Sequence, residues 1–399
     1  MTTLAPPTPR HRATTRSRLL SALLGIDWIL VFAVAALSMF GVHVIGAATA
    51  NEISGNPSFF SDRQILFVIA GTILCLVLAL VDVTALTGYA WVMLGGLLGS
   101  LVVVFVLRTT VNGARAWIDL GPFNLQPSEM GKLVLVVVLS VLAVERMNEI
   151  GSARTTLFLS AVVGVPALVV FLQPDLGTAL VYIPILFAVL FLAGVPWTHF
   201  AVGGAALLSV IVLTLGVLPA LGMPVLKDYQ TARLTAFTGV GVSADASLEQ
   251  NDPLRTTRYQ LDQSITAIGA GGALGKGPEN ATQTVNRFLP ERQTDFIFAV
   301  IAEMYGFVGA AGVLVLFGII LWRILRLTAR AATQLEQLVA GAIGAMIMFQ
   351  LFVNVGMNIG IMPITGIPLP FLSHGGSHTI TMLAAVGMLL SIHRRRATF

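Results

Sequence analysis

The chain has 399 residues, of which 56% are hydrophobic and only 11% charged, with a formal net charge of +4 and a mean hydropathy of +0.87. A soluble domain carries about 25% charged residues, so the composition excludes a water-soluble globular protein and points to a polytopic membrane protein. The excess positive charge sits at tails and short loops, where it sets topology and is no nucleic-acid signature, and the single cysteine, Cys75, excludes an intrachain disulfide framework.

Residues 1–23 read as a disordered basic tail carrying Arg10, Arg12, Arg16 and Arg18. The apolar segment that follows is long enough to span and lacks a convincing cleavage site, so it reads as an uncleaved first helix. Ten spans follow from hydropathy, near 24–46, 64–82, 88–107, 129–146, 155–173, 176–195, 199–220, 296–322, 336–358 and 377–393. At about 1.5 Å per residue each crosses a hydrocarbon core about 30 Å thick. The fold class is therefore all-α and polytopic, with a transmembrane domain over 24–393 and a basic tail over 394–399.

The N-terminal tail, "ERMNEIGSAR", "RILRLTARAA" and the terminal "HRRR" fall on one side of this count. The positive-inside rule makes that side cytoplasmic and puts both termini inside. The 82–87 loop, with Asp82 and no cation, is the exception. The long segment 221–295 is then extracytoplasmic. Its first part is polar and reads as mobile. Its second part predicts a short surface helix through Leu261, Ile265 and Ile268, then a glycine-rich turn over Gly269–Gly277.

Ionisable groups gather at the outer ends of the spans. "TTVNGARAWIDLGPFNLQPSEMGKL" places Arg115 and Trp117 in an interfacial stretch, where Trp117 serves equally well as a membrane anchor. Glu129 and Lys132, three apart at a helix entrance, form either an ordinary ion pair or part of a polar cavity, since charge inside a bilayer seeks a partner or a cavity. Asp175, in the turn of "LQPDLGTAL", either caps the following helix or faces that cavity. Asp295, in "RQTDFIFAV", reads as the N-cap of the eighth span, as a carboxylate that takes a proton from a hydroxyl, or as a ligand of a divalent ion. Helical spacing puts Glu303 on the face of Asp295 and Ala299. The prolines and glycines between Pro363 and Gly376 predict a shaped outer loop, beside which His374 and His378 stand four apart without a visible third zinc ligand.

Six ordered stretches resemble the SEDS family, the shape, elongation, division and sporulation proteins of bacteria. They are "WIDLGPFNLQPSEMGKL", "QPDLGTAL", "YQLDQSITAIGAGGALGKG", "FLPERQTDFIFAVIAEMYGF", "NVGMNIGIMPITGIPLPFLSHGG" and the basic C-terminus. "KDYQTARL", the "AIG-GG-GKG" loop and "FLPE-TDFIFAV-AE-GF" lean toward the RodA elongation branch over the FtsW division branch. The resemblance implies a ten-helix peptidoglycan glycosyltransferase of the bacterial plasma membrane that polymerises lipid II on the outer face. It further implies a class B penicillin-binding protein as crosslinking partner, alongside other elongation-complex membrane proteins.

By the same resemblance Asp295 is the residue essential for polymerisation, and Arg115, Trp117, Glu129 and Lys132 line or support its cavity. Asp295 is assigned as general base, with Arg115, Lys132 and Arg292 on the pyrophosphate side and Glu303 and Asp175 as further cavity residues. These residues establish no cofactor, and a divalent cation, Mg or Mn, at Asp295 stays open. A lipid II flippase and a non-enzymatic scaffold are the competing classes. Two departures from the family pattern stand out. Met304 replaces a second carboxylate, and His374 and His378 stand where the family has tyrosine and a small residue, which gives the outer loop a means of responding to pH near 6 to 7.

Overall fold

A computed structural model describes residues 25–50, 52–53, 56–107, 117–119, 124–221 and 253–396. Uninterrupted apolar runs leave the backbone no partner but itself in lipid, so they close into helices. These are α1 (Trp28–Thr49), α2 (Phe59–Leu80), α3 (Ala90–Leu107), α4 (Pro127–Glu145), α5 (Ala153–Leu172), α6 (Leu176–Leu192) and α7 (Trp197–Val212). After the long loop come α8 (Pro253–Gly271), the single turn α9 (Thr282–Val285), α10 (Ile297–Thr328), α11 (Gln334–Asn358) and α12 (Gly376–Arg396). Among the described residues, eight helices are long and apolar enough to cross a membrane, and α6 and α7 are shorter apolar helices. Every expected span is matched by one of these ten. A two-residue hairpin, β1 (Ile118–Asp119) with β2 (Asn124–Leu125), pairs antiparallel ahead of α4.

α12 packs along α2 and α4, α11 lies against α6, α10 and α4, and α10 against α1 and α8. Small residues permit the closest of these approaches: a side chain at Gly387 of α12 would meet the Cys75 carbonyl of α2 at 2.4 Å. α7 stands apart. None of its side chains is buried, and it meets α6 through the ring pairs Phe187–Phe200 and Phe191–Trp197. The first part of the long loop, with "KDYQTARL", and residues 1–24 lie outside the described residues.

The helix expected through Leu261, Ile265 and Ile268 is α8, which at 19 residues is not short and runs on through Gly269 to Gly271 before the glycine turn. That turn is inserted into a break in α10. Gly306 leaves helical geometry at φ 66°, ψ −162°, which frees backbone groups that lipid would leave unpaired. The loop supplies their partners: Lys276 N donates to Glu303 O (3.0 Å), Gly277 N to Met304 O (2.9 Å) and Phe307 N to Gly272 O (2.9 Å). Gly275 also has positive φ, and a Cβ there would meet Met304 O at 2.2 Å. Only glycine fits both places.

At the end of the bundle away from this turn, Asp27 caps α1 through Leu30 N (3.1 Å) and pairs with Arg323 (2.8 Å). There too Arg395 pairs with Asp82, the acid of the exceptional loop.

Candidate active site

The amino ends of α4, α6 and α12, the turn before α10 and the loop 365–376 surround a cavity of about 290 Å³. Trp117, Glu129, Asp175 and Asp295 all line it, together with Gln126, Glu291, Thr294, His374 and His378. Residues far apart in the chain are thus brought to one wall, for example through Gln126 N donating to Ser377 Oγ, 251 positions on, at 2.8 Å.

Asp295 is not the N-cap residue of α10. The N-cap is Phe296, which has no capping side chain, and Asp295 lies in the turn before it. Two asparagines of α11 hold its backbone instead: Asn354 Nδ2 and Asn358 Nδ2 donate to Asp295 O at 3.0 and 3.1 Å. Ser373 Oγ donates to Thr294 O (2.6 Å) and His374 N to Gln293 O (2.8 Å), which ties this turn to the opposite wall.

Asp175 fills both roles open to it. Its Oδ1 caps α6 by accepting from Thr178 N (3.1 Å), while Oδ2 accepts from Gln126 Nε2 (2.7 Å) and Ser128 Oγ (3.1 Å). Burial pushes its carboxyl above the ordinary value, against the pull of these donors. Glu129 likewise joins both readings. Its Oε2 lies 2.6 Å from Lys132 Nζ and 2.9 Å from His378 Nδ1, and Thr178 Oγ1 donates to Oε1 at 3.3 Å.

Three expected cavity residues are placed elsewhere. Lys132 is fully buried behind Glu129 and does not reach the cavity wall. Arg292 turns away to Glu52 and the Ala48 carbonyl (2.8 Å), because a buried guanidinium must satisfy its donors nearby. Glu303, 0% exposed, accepts from Gln283 N (2.8 Å), Thr284 N (3.0 Å) and Thr284 Oγ1 (2.8 Å), and so clamps α9. Arg115 lies outside the described residues. No lysine or arginine lines the cavity among the described residues.

The two histidines part company. His378 pairs with Glu129. His374 sits beside Phe60 and Phe67, with ring centroids 5.4 and 5.9 Å away, and burial together with nearby Arg63 pushes its pKa down to about 4. It therefore stays neutral at pH 6 to 7, contrary to the pH response expected of it. Among the described residues no three His, Cys, Asp or Glu side chains gather to hold a metal ion.

Sequence reasoning missed Asn354, Asn358 and Gln126. Two asparagines four apart at the cavity end of an apolar span were the available signal, since buried amides must find partners.

The family model for the cell cycle proteins FtsW, RodA and SpoVE matches residues 25–398. Stage V sporulation protein E of Bacillus subtilis (strain 168) is 34% identical over 92% of this chain and 95% of its own length. Peptidoglycan glycosyltransferase MrdB of Escherichia coli (strain K12) is 33% identical over 93% and 94%. The probable peptidoglycan glycosyltransferase FtsW of Thioalkalivibrio sulfidiphilus (strain HL-EbGR7) is 35% identical over 92% and 90%. Among solved structures, the rod shape determining protein RodA of Thermus thermophilus superposes with a TM-score of 0.64 at 30% identity, covering 93% of this chain and 97% of that one. A chain solved for the structural coordination of polymerization and crosslinking by a peptidoglycan synthase complex superposes at 0.72, with 32% identity and coverage of 93% and 98%. Matched over almost its whole length, the chain belongs to the FtsW/RodA/SpoVE family, the SEDS family that its motifs resemble.

Proposed function

We propose that this chain is a peptidoglycan glycosyltransferase that joins lipid II units into glycan strands, with Asp295 as the general base. The observation that carries the assignment is the convergence of Asp295, Glu129, Asp175 and Trp117 on one cavity at one end of the bundle. Asp295 takes the proton from the C4 hydroxyl of the acceptor sugar as that oxygen bonds to the donor's anomeric carbon. The bond from that carbon to the lipid pyrophosphate breaks, and the pyrophosphate leaves with the electron pair. General base catalysis of this kind contributes a factor of about 10²–10⁴. Cationic stabilisation of the departing pyrophosphate falls to Arg115, since Lys132 and Arg292 are engaged elsewhere. Inversion at the anomeric carbon is the expected stereochemistry, because a single carboxylate acts as base and none as nucleophile.

The Asp295→Asn variant, purified and supplied with lipid II, is expected to fold and make no polymer. Full polymerisation by it would reject the assignment. The same assay separates an enzyme from a scaffold, and a flippase would move labelled lipid across vesicles without polymerising it.

The cavity opens on the outer face of the plasma membrane and both termini are cytoplasmic. Arg323 and Arg395, at the end opposite the cavity, support this reading under the positive-inside rule. A C-terminal reporter active only in the periplasm would contradict it. Elongation is favoured over division by the branch wording of "KDYQTARL" and the glycine loop, and restored rod shape in cells depleted of their elongation polymerase tests it. A class B penicillin-binding protein is the crosslinking partner, a reading supported by the relative solved in a synthase complex. Failure of the two to co-purify would oppose it.

A further inference from the structure

The structure assigns Asn354 and Asn358 as positioning residues for Asp295, an inference that rests on the reading of Asp295 as base. Both amides are fully buried at the cavity end of α11, and both spend every donor. Asn354 Nδ2 bonds Asp295 O (3.0 Å) and Ile367 O (2.8 Å). Asn358 Nδ2 bonds Asp295 O (3.1 Å) and Asn354 O (2.8 Å). The Asp295 carbonyl thus accepts from two fixed donors at once.

The other half of the Asn358 amide does a job usually done locally. The first turn of a helix has unpaired N–H groups, which a Ser, Thr, Asp or Asn at the N-cap ordinarily satisfies. Phe296 at the N-cap of α10 has no side chain for this. Asn358 Oδ1 reaches across from α11 and accepts from Ala299 N at 3.1 Å, the third residue of α10. A cap for the first turn of α10 is therefore supplied from another helix, next to Asp295 at the cavity.

Asn354 adds a second constraint. Its bond to Ile367 O fixes the loop that forms the facing wall, where Thr365, Gly366 and Pro368 line the cavity. Two walls are thus held to one side chain. A displacement of about 1 Å in a reacting group costs on the order of 10²-fold in rate, so the amides act on turnover and not on affinity.

The test uses Asn358→Leu and Asn354→Leu, which keep shape and remove the donors. With Gln350→Leu as comparison, all are purified as the full chain in detergent and assayed with lipid II. Gln350 is a buried amide one turn earlier on α11 whose side chain makes no hydrogen bond among the described residues. Expected are a fall in kcat of about 10²-fold for Asn358→Leu and Asn354→Leu, with KM and directly measured lipid II binding within about threefold of wild type, and an unchanged kcat for Gln350→Leu. Wild-type kcat in folded Asn358→Leu and Asn354→Leu overturns the proposal, as does an equal fall in Gln350→Leu, which would reveal a merely structural effect. Should the leucine variants not fold, Asn354→Ser, whose shorter hydroxyl does not span to Asp295 O, decides by the same kcat criterion. Turnover by Asp295→Asn in the same assay would reject the base itself, whereas an inactive Asp295→Asn beside active asparagine variants rejects only the positioning role.

Discussion

Lys132 Nζ lies 2.6 Å from Glu129 Oε2, with both side chains buried at the cavity end of α4. Two charges withdrawn from water are tolerable together and costly apart. Lys132→Met leaves a buried carboxylate with only His378 and the Thr178 hydroxyl as the partners named above and is expected to cost about 3–5 kcal/mol of stability. Lys132→Met combined with Glu129→Leu removes both charges and is expected to recover most of that loss. Thermal unfolding of the two single variants and the double variant in one detergent measures the coupling, and additive losses would oppose it.

His378 donates to the same carboxylate oxygen at 2.9 Å. Because Lys132 keeps Glu129 paired, His378→Ser is expected to destabilise less than Lys132→Met, by about 1.5–3 kcal/mol for one hydrogen bond to a charged group. A loss equal to that of Lys132→Met would make the imidazole, not the ammonium, the main partner.

His374 gives a pH dependence with a defined sign. Its folded pKa of about 4 lies below the ordinary 6.5, so the unfolded chain binds a proton in this window that the folded chain does not. The contribution to stability is complete above 6.5 and is lost as pH falls toward 4. His374→Tyr is expected to flatten this part of the stability profile. Parallel wild-type and variant profiles between pH 7 and 4.5 would count against the buried neutral ring.

Gly306 and Gly275 meet backbone to backbone where the loop enters α10. Alanine at either adds strain of about 1–3 kcal/mol from the positive φ and an overlap of its methyl with backbone at 2.3 and 2.2 Å respectively. Either variant is expected to accumulate poorly and to elute as aggregate in size exclusion, whereas Gly312→Ala, with open space around it, is expected to behave as wild type.

The ten apolar helices were legible because burial in lipid depends on composition over some twenty residues, a local property. α8 and its glycine turn were legible for the same reason, from spacing and breakers within one stretch. Side-chain partners were not. Helical spacing puts Glu303 on one face with Asp295 only if the helix includes residue 295, and α10 begins at Ile297. Arg292 finds Glu52, which is 240 positions away, and no local pattern announces such a pairing. The break at Gly306 escaped notice because its hydrogen-bond partners lie some thirty residues upstream. Of the expected acids Glu129, Asp175 and Asp295 line the cavity and Glu303 does not, while Glu291 lines it without having been expected; a carboxylate at the edge of hydrocarbon is rare enough to signal itself.

The seam at Gly306 divides α10 into two pieces with separate anchors. The rear piece runs along α1 and bears the lipid-exposed side chains Val315, Trp322 and Leu325. The front piece takes its register from the glycine loop and from the asparagines of α11. A thicker or thinner bilayer tilts the helices that span it, and here that tilt falls on the rear piece. Turnover should accordingly vary little between vesicles of short and long acyl chains, the joint serving as an expansion gap that isolates the cavity end from the membrane around it.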